Sequence, residues 1–252
     1  VSGPSDWLVD LGHSRIKWAR ACDGKLIEGS AGAGPVDGLS TFEQGLEGQA
    51  GQRLWLSGQS NSEFVMTVTT MIRKHGLSLH AVRTGDIILP VLPAYPALGI
   101  DRWLAMQWPR LQSKRPVCVV DCGTAVTVDV VNAEGRHLGG WILAGLGILR
   151  AGLLEKARGL PRLGEQPDCE FGKDDASQPA TDSASAITRG TQLQMLGAIE
   201  QTVSASAGIL GEAPDLWLTG GDASMVVNDL SCSGRHDPHL VLRGLALAAQ
   251  NA

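Results

Sequence analysis

Two short segments constrain this chain more than any other feature. Asp10-Leu11-Gly12-His13-Ser14 ends the apolar run Trp7 to Asp10, and Asp121-Cys122-Gly123-Thr124 follows the apolar run Val117 to Val120. Each is succeeded by a second run, Arg15 to Ala21 in the first case and the β-branched stretch Ala125 to Val131 in the second. An apolar strand that ends in Asp, turns on a glycine and resumes beyond a hydroxyl residue reads as strand–turn–strand. The two aspartates lie 111 residues apart, and the repetition points to a duplicated fold, although a match this short also arises by coincidence.

The same pattern suits a nucleotide polyphosphate. Glycine lets backbone N–H groups approach phosphate oxygens, the hydroxyl donates a hydrogen bond, and the carboxylate can hold a cation or a water in its shell. Taken singly, an Asp-x-Gly-x-Ser is more often an ordinary hairpin turn. A third glycine turn at a strand end, Thr219-Gly220-Gly221-Asp222 after Leu216 to Thr219, weighs against coincidence.

The remaining periodicity fills in a mixed chain. The first half adds a short strand at Lys25 to Glu28, helical spacing at Leu39 to Leu46, a strand at Leu54 to Ser57, a helix from Ser62 to His75 and a strand within Leu77 to Val82. An amphipathic helix, Gly99 to Leu111, runs towards Pro116, which stops or redirects the chain, so a boundary falls near residues 112–116. That division gives an N-terminal subdomain, 1–113, and a C-terminal one, 114–252. The latter carries a strand and glycine bend from His137 to Gly147, a helix through Arg158, a polar loop from Glu165 to Ser185, a helix from Ser185 to Ser206 and a terminal helix, Leu240 to Ala249.

Bulk properties remove several classes. With 252 residues and 43% hydrophobic composition the chain can bury a large core. A formal charge of −5 offers no general attraction to nucleic acid, so no direct nucleic-acid contact is expected. The cysteines at 22, 118, 122, 169 and 232 are widely spaced without a Cys-x-x-Cys pair, which fits a reducing compartment and argues against structural zinc. The opening residues lack a basic segment leading into an apolar run, and no stretch approaches 18 apolar residues, so a cytoplasmic protein without a membrane segment is expected. His236 and His239 are spaced as metal ligands, but with no Cys or third His nearby they read as a solvated loop. Trp55, Trp103, Trp108 and Trp217 lie in apolar patterns that suit a core or an interface.

Three strand-end glycine turns resemble the nucleotide loops of the acetate and sugar kinase, heat-shock ATPase and actin superfamily. The run LGIDRWLAM, residues 98–106, narrows that resemblance to the type III pantothenate kinases, whose substrate segment it is similar to. DLGHSRIKW resembles their first ATP loop and DCGTAVTVD their second, while HLGGWILAGL and LWLTGGDA complete the set in family order from Asp10 to Ala223. The resemblance implies a duplicated ribonuclease-H-like α/β fold, two similar subdomains with mixed sheets flanked by helices. It implies a homodimer that transfers the γ-phosphoryl of ATP to pantothenate, with magnesium and a monovalent cation, potassium or ammonium. Residue by residue, Asp101 matches the proton acceptor, Gly99, Ile100, Asp101 and Arg102 the substrate stretch, and Asp121 the potassium ligand. Asp10, Leu11, Gly12, His13, Ser14, Arg15, Ile16 and Lys17 match the first ATP contacts, and Thr124, Gly220 and Gly221 later ones.

The chemistry of Asp101 and Arg102 agrees independently. A primary alcohol must lose its proton as a phosphorus–oxygen bond forms, and a carboxylate beside it can take that proton. A fixed guanidinium suits a substrate carboxylate. The dipeptide alone also reads as a helix-start Asp beside a surface pair. Ser183 falls where the family has a substrate-binding Thr, and Tyr95 stands closer to Gly99 than the family's substrate Tyr. Departures are His13 in place of Asn and Ala144 in place of Pro. Trp103 and Trp108 could cover the dimer contact or fill their own core. The rivals are a kinase of the same superfamily with another acceptor, and an accessory factor that affects transcription through binding.

Overall fold

The structure, a computed structural model, describes residues 5–12, 14–35, 39–58, 63–157 and 178–252. Strands β1 (Asp6–Leu11) and β2 (Arg15–Cys22) form the opening hairpin, antiparallel from Asp6↔Ala21 to Leu11↔Ile16. β3 (Lys25–Leu26) and β4 (Gly32–Pro35) both pair with β2. After helix α1 (Ser40–Leu46), β5 (Arg53–Gly58) lies parallel to β1 on its other side; after α2 (Glu63–Lys74), β6 (Ser78–Ala81) lies parallel to β5. Alternation decides the faces. Trp7, Val9 and Leu11 of β1 with Leu54 and Leu56 of β5 meet Phe42 and Leu46 of α1 and Val68 and Ile72 of α2 in one apolar cluster.

Helix α3 (Ile100–Gln112) leads into β7 (Val117–Cys122), β8 (Ala125–Val131) and β9 (His137–Ala144), then α4 (Leu146–Lys156) and α5 (Ser183–Leu210). β10 (Asp215–Thr219), the short α6 (Ala223–Val226), β11 (Gly234–His236) and α7 (Leu240–Asn251) complete the chain. β10 is parallel to both β7 and β11. Among the described residues the sheets are β3-β2-β1-β5-β6, with β4 also on β2, and β11-β10-β7-β8-β9. Both orders follow one rule: the first strand of a hairpin takes a parallel strand on its free side, and that strand takes another. This is the duplicated ribonuclease-H-like α/β fold.

The chain forms two compact units, Val1–Lys114 with Val131–Leu138 and His239–Ala252, and Arg115–Val130 with Gly139–Pro238. The terminal helix α7 belongs to the first unit, where it packs on α3 so closely that a Cβ on Gly244 would strike the backbone of Leu104. The second unit has its own core, with Cys118, Val120 and Cys122 of β7 and Leu216 and Leu218 of β10 against Met195 and Ile199 of α5. Among the described residues no helix is long and apolar enough to cross a membrane.

Three elements were not anticipated, β4, α6 and β11. GAGP and GRH carry no apolar alternation, and each is held by pairing with a neighbouring strand rather than by its own pattern. β11 contains His236, which is therefore an exposed strand residue rather than part of a loop. Helix α5 is longer than expected because Asp182 caps its start and Gly211, at φ 74°, ends it. Trp103 is 1% exposed and its Nε1 donates to the Val91 carbonyl at 2.8 Å, so it fills its own chain's core. Trp108 is half-buried with the Arg243 guanidinium 5.1 Å above its ring.

Candidate active site

The first unit brings Asp10 to the end of β1. Its register partners are Lys17 across the hairpin and Ser57 on the parallel strand, so all three side chains leave the same face of three adjacent strands. The turn is closed by Gly12 N donating to the Arg15 carbonyl at 3.0 Å. Leu11 and Ile16 belong to the apolar core, so of those residues only the backbone is available to a ligand, while Ser14 and Arg15 are exposed. His13 lies outside the described residues.

The substrate segment sits at the start of α3. Gly99 caps the helix in an extended conformation, and Asp101 in the first turn is exposed, its Oδ1 accepting from Arg102 N at 2.9 Å. A Cβ on Gly99 would lie 2.7 Å from that oxygen, so glycine is what leaves the carboxylate its position. Arg102 is buried, 9% exposed, and its Nη1 donates to Tyr95 Oη at 3.2 Å. The short spacing between Tyr95 and Gly99 is thus spanned without difficulty, because Leu98 N turns back onto the Tyr95 carbonyl at 3.2 Å. Gln107 anchors this loop on α3, accepting from Val91 N at 2.9 Å while donating to the Trp103 carbonyl at 2.8 Å. Buried His137, whose ring centroid is 6.3 Å from that of Tyr95, backs the tyrosine.

The second unit gathers three chain segments around Asp121. Gly123 N donates to the Ala125 carbonyl at 3.2 Å, Gly145 N to the Thr124 carbonyl at 3.2 Å, and Asp222 N to the Cys122 carbonyl at 3.0 Å. There is no room for larger residues. A Cβ on Gly145 would lie 2.5 Å from the carbonyl oxygens of Gly123 and Thr124, and one on Gly220 would lie 2.5 Å from Asp121 Oδ1 and strike the Cys122 carbonyl. Gly220 also holds φ at 97°, which L side chains rarely adopt. Gly145 caps α4, whose first N–H groups have no intrahelical partner, an arrangement suited to phosphate oxygens. Burial, then the negative charges of Asp121 and Asp222, push the Cys122 thiol up to about 12, which makes it inert as a nucleophile.

Ser183 is the exposed first residue of α5. Asp182, where the family has Asn, serves as the cap: Oδ1 accepts from Ser185 N at 2.9 Å, and that bond holds its carboxyl below the usual range. Among the described residues no group of three His, Cys, Asp or Glu could hold a metal ion. A cation here would take most of its ligands from phosphate and water, as magnesium does beside a nucleotide, with Asp121 or Asp10 as a protein oxygen. The N–H groups at the start of α4, which have no intrahelical partner, fit the phosphate that would bring such an ion. The sequence alone gives no individual role to Gly145, Asp222 or the Ser57-Gly58 strand end, although LWLSG at 54–58 and LWLTG at 216–220 match at four of five positions.

Known proteins resemble this chain over most of its length. A family model described as type III pantothenate kinase matches residues 7–205. The type III pantothenate kinase of Pseudomonas aeruginosa is 34% identical over 258 residues, covering 95% of this chain and 97% of its own. That of Stenotrophomonas maltophilia is 34% identical over 254 residues, covering 96% of each chain. Among solved structures, a Baf family protein from Campylobacter jejuni superposes with TM-score 0.61 at 19% identity, covering 95% of this chain and 94% of its own. The ethanolamine utilization protein EutJ from Carboxydothermus hydrogenoformans gives 0.55 at 16% identity, over 100% and 91%. The last two share the fold; the sequence relatives and the family match carry the assignment, and this chain belongs to the type III pantothenate kinase family.

Proposed function

We propose that this chain transfers the γ-phosphoryl group of ATP to the primary alcohol of pantothenate, giving 4'-phosphopantothenate and ADP, the first step of coenzyme A biosynthesis. The observation that carries the reading is the substrate segment, where an exposed Asp101 carboxylate stands next to a buried Arg102 held by Tyr95. The alcohol oxygen attacks the γ-phosphorus, the bond to the bridging oxygen breaks, ADP leaves, and the alcohol proton passes to Asp101. Arg102 pairs with the pantothenate carboxylate, with Tyr95 fixing the plane of the guanidinium and Gly99 and Ile100 lining the approach. Ser183 contributes a hydroxyl to the same substrate.

The backbone of the Asp10–Lys17 turn and the Lys17 ammonium hold phosphate oxygens, and the Gly123–Thr124, Gly145 and Gly220–Gly221 backbone accepts the rest of the nucleotide. Asp10 or Asp121 would offer magnesium a carboxylate oxygen, and the ion would supply positive charge against the negative charge that develops during transfer. Asp121 would also hold the monovalent cation, potassium or ammonium. The working form is a homodimer in the cytoplasm, consistent with the free thiols of Cys22, Cys118, Cys122 and Cys232. The charge of −5 favours this over direct DNA contact. Incubation with ATP, magnesium, potassium and pantothenate, followed by phosphorus NMR, should show a phosphate monoester on the pantothenate alcohol. ADP and inorganic phosphate as the only new species would refute the transfer.

A further inference from the structure

The two halves share a feature that the nucleotide loops do not explain. β5 ends in Leu54-Trp55-Leu56-Ser57-Gly58 and β10 ends in Leu216-Trp217-Leu218-Thr219, followed by Gly220. Each strand is parallel to the strand that carries its unit's aspartate, and the register is the same: Asp10↔Ser57 and Asp121↔Thr219. Each tryptophan also has a guanidinium over its ring, from its own strand in the first unit and from the neighbouring strand β11 in the second. Trp55 lies 5.8 Å from the Arg53 guanidinium and Trp217 lies 5.3 Å from that of Arg235. Ser57 and Thr219 are 0% and 1% exposed, and neither hydroxyl finds a hydrogen-bond partner among the described residues.

A buried hydroxyl without a partner is costly, and two at equivalent places in a duplicated fold are not an accident of packing. An ionised carboxylate only accepts hydrogen bonds, and a cation occupies one of its oxygens, so the other needs a donor. A small neutral hydroxyl on the same face, one strand away, supplies that donor without competing for the cation.

We propose that Ser57 and Thr219 are a duplicated pair of positioning residues. Each donates a hydrogen bond to the carboxylate beside it, Asp10 or Asp121, when nucleotide and its cation bind. The pair fixes which carboxylate oxygen faces the ion in each unit. This rests on the assignment of Asp10 and Asp121 to phosphate and cation contact made above.

The test uses Ser57→Ala and Thr219→Val, with Asp10→Asn and Asp121→Asn in parallel. Thermal unfolding is followed without nucleotide, and affinity for a non-hydrolysable ATP analogue with magnesium and potassium is measured by calorimetry. Removing an unsatisfied hydroxyl should leave the nucleotide-free midpoint unchanged or raised, while affinity falls roughly tenfold in both variants, the usual range for a lost bond to a charged group. Ser57→Thr and Thr219→Ser should bind within about twofold of the wild type, since the donor is kept. Wild-type affinity in either hydroxyl-free variant overturns the proposal, as does a lowered midpoint with affinity unchanged. If the two Asp→Asn variants also bind normally, the assignment of the aspartates falls and the proposal falls with it.

Discussion

The first and second loops begin alike and are finished differently. Around Asp10 the turn is closed by a backbone bond from Gly12, and Ser14, Arg15 and the half-buried Lys17 nearby carry hydroxyl or charged side chains. Around Asp121 three glycine-bearing segments close on one another through backbone bonds, and the start of α4 joins them. The duplication therefore kept the sheet and changed what the strand ends do. The first unit offers side chains, including Asp101 and Arg102 on α3; the second offers a backbone surface with no space for a side chain at Gly145 or Gly220.

If that division of labour holds, damage to the α3 side chains of the first unit should stop the chemistry and spare the nucleotide. Asp101→Ala should lower phosphoryl transfer by about 10²–10⁴-fold, the usual contribution of a positioned general base, with ATP affinity retained. Steady-state kinetics with pantothenate beside calorimetric ATP titration checks both halves; near-normal turnover would remove Asp101 from the role of base.

Damage to the second unit should do the reverse. Gly220→Ala places a Cβ against the Cys122 carbonyl and Asp121 Oδ1 at a backbone angle alanine avoids, whereas Gly12→Ala meets the Arg15 carbonyl at 3.0 Å. Gly220→Ala should cost about 1–3 kcal/mol of stability and weaken ATP binding by at least roughly tenfold, with Gly12→Ala much milder. Equal effects at the two glycines, read by thermal unfolding and ATP titration, would erase the contrast.

Most of this architecture was legible because its strands are short apolar runs that end in Asp or Gly. Residues 125–131 were read at the bounds β8 occupies, and the helix after Gly99 was foreseen to within a residue at each end. What escaped has a common cause: it is decided by partners distant in sequence. β4 and β11 are strands because β2 and β10 accept them, and α7 returns to the first unit because Gly244 lets it touch α3. The involvement of Tyr95 with Arg102 likewise depended on a turn that the spacing to Gly99 did not reveal. The LWLSG and LWLTG repeat was visible in the chain, but only the register of the strands gives it meaning.

Two smaller effects sharpen the contrast further. Asp121→Asn should raise the potassium or ammonium concentration needed for half-activation by roughly tenfold and alter pantothenate affinity little, because a neutral amide is a poorer cation partner. An unchanged activation curve would reject the cation role. Asp182→Ala removes the cap of α5 and should lower the unfolding midpoint by roughly 2–4 °C near neutral pH. The Asp182 carboxyl is held below its ordinary value by the Ser185 N–H, so its contribution is present above the unfolded pKa of about 4 and is lost as pH falls through the lower folded value. The wild type and variant should converge in acid; a gap that persists there would mean the cap does not depend on the ionised carboxylate.

The central claim is transfer to pantothenate by the Asp101 site, and pantothenate-dependent release of ADP tests it most directly. With ATP, magnesium and potassium present, the account predicts ADP release that requires pantothenate, saturates with it and falls by at least roughly a hundredfold in Asp101→Ala. Release of ADP at the same rate without pantothenate, or in the Asp101→Ala protein, would contradict it.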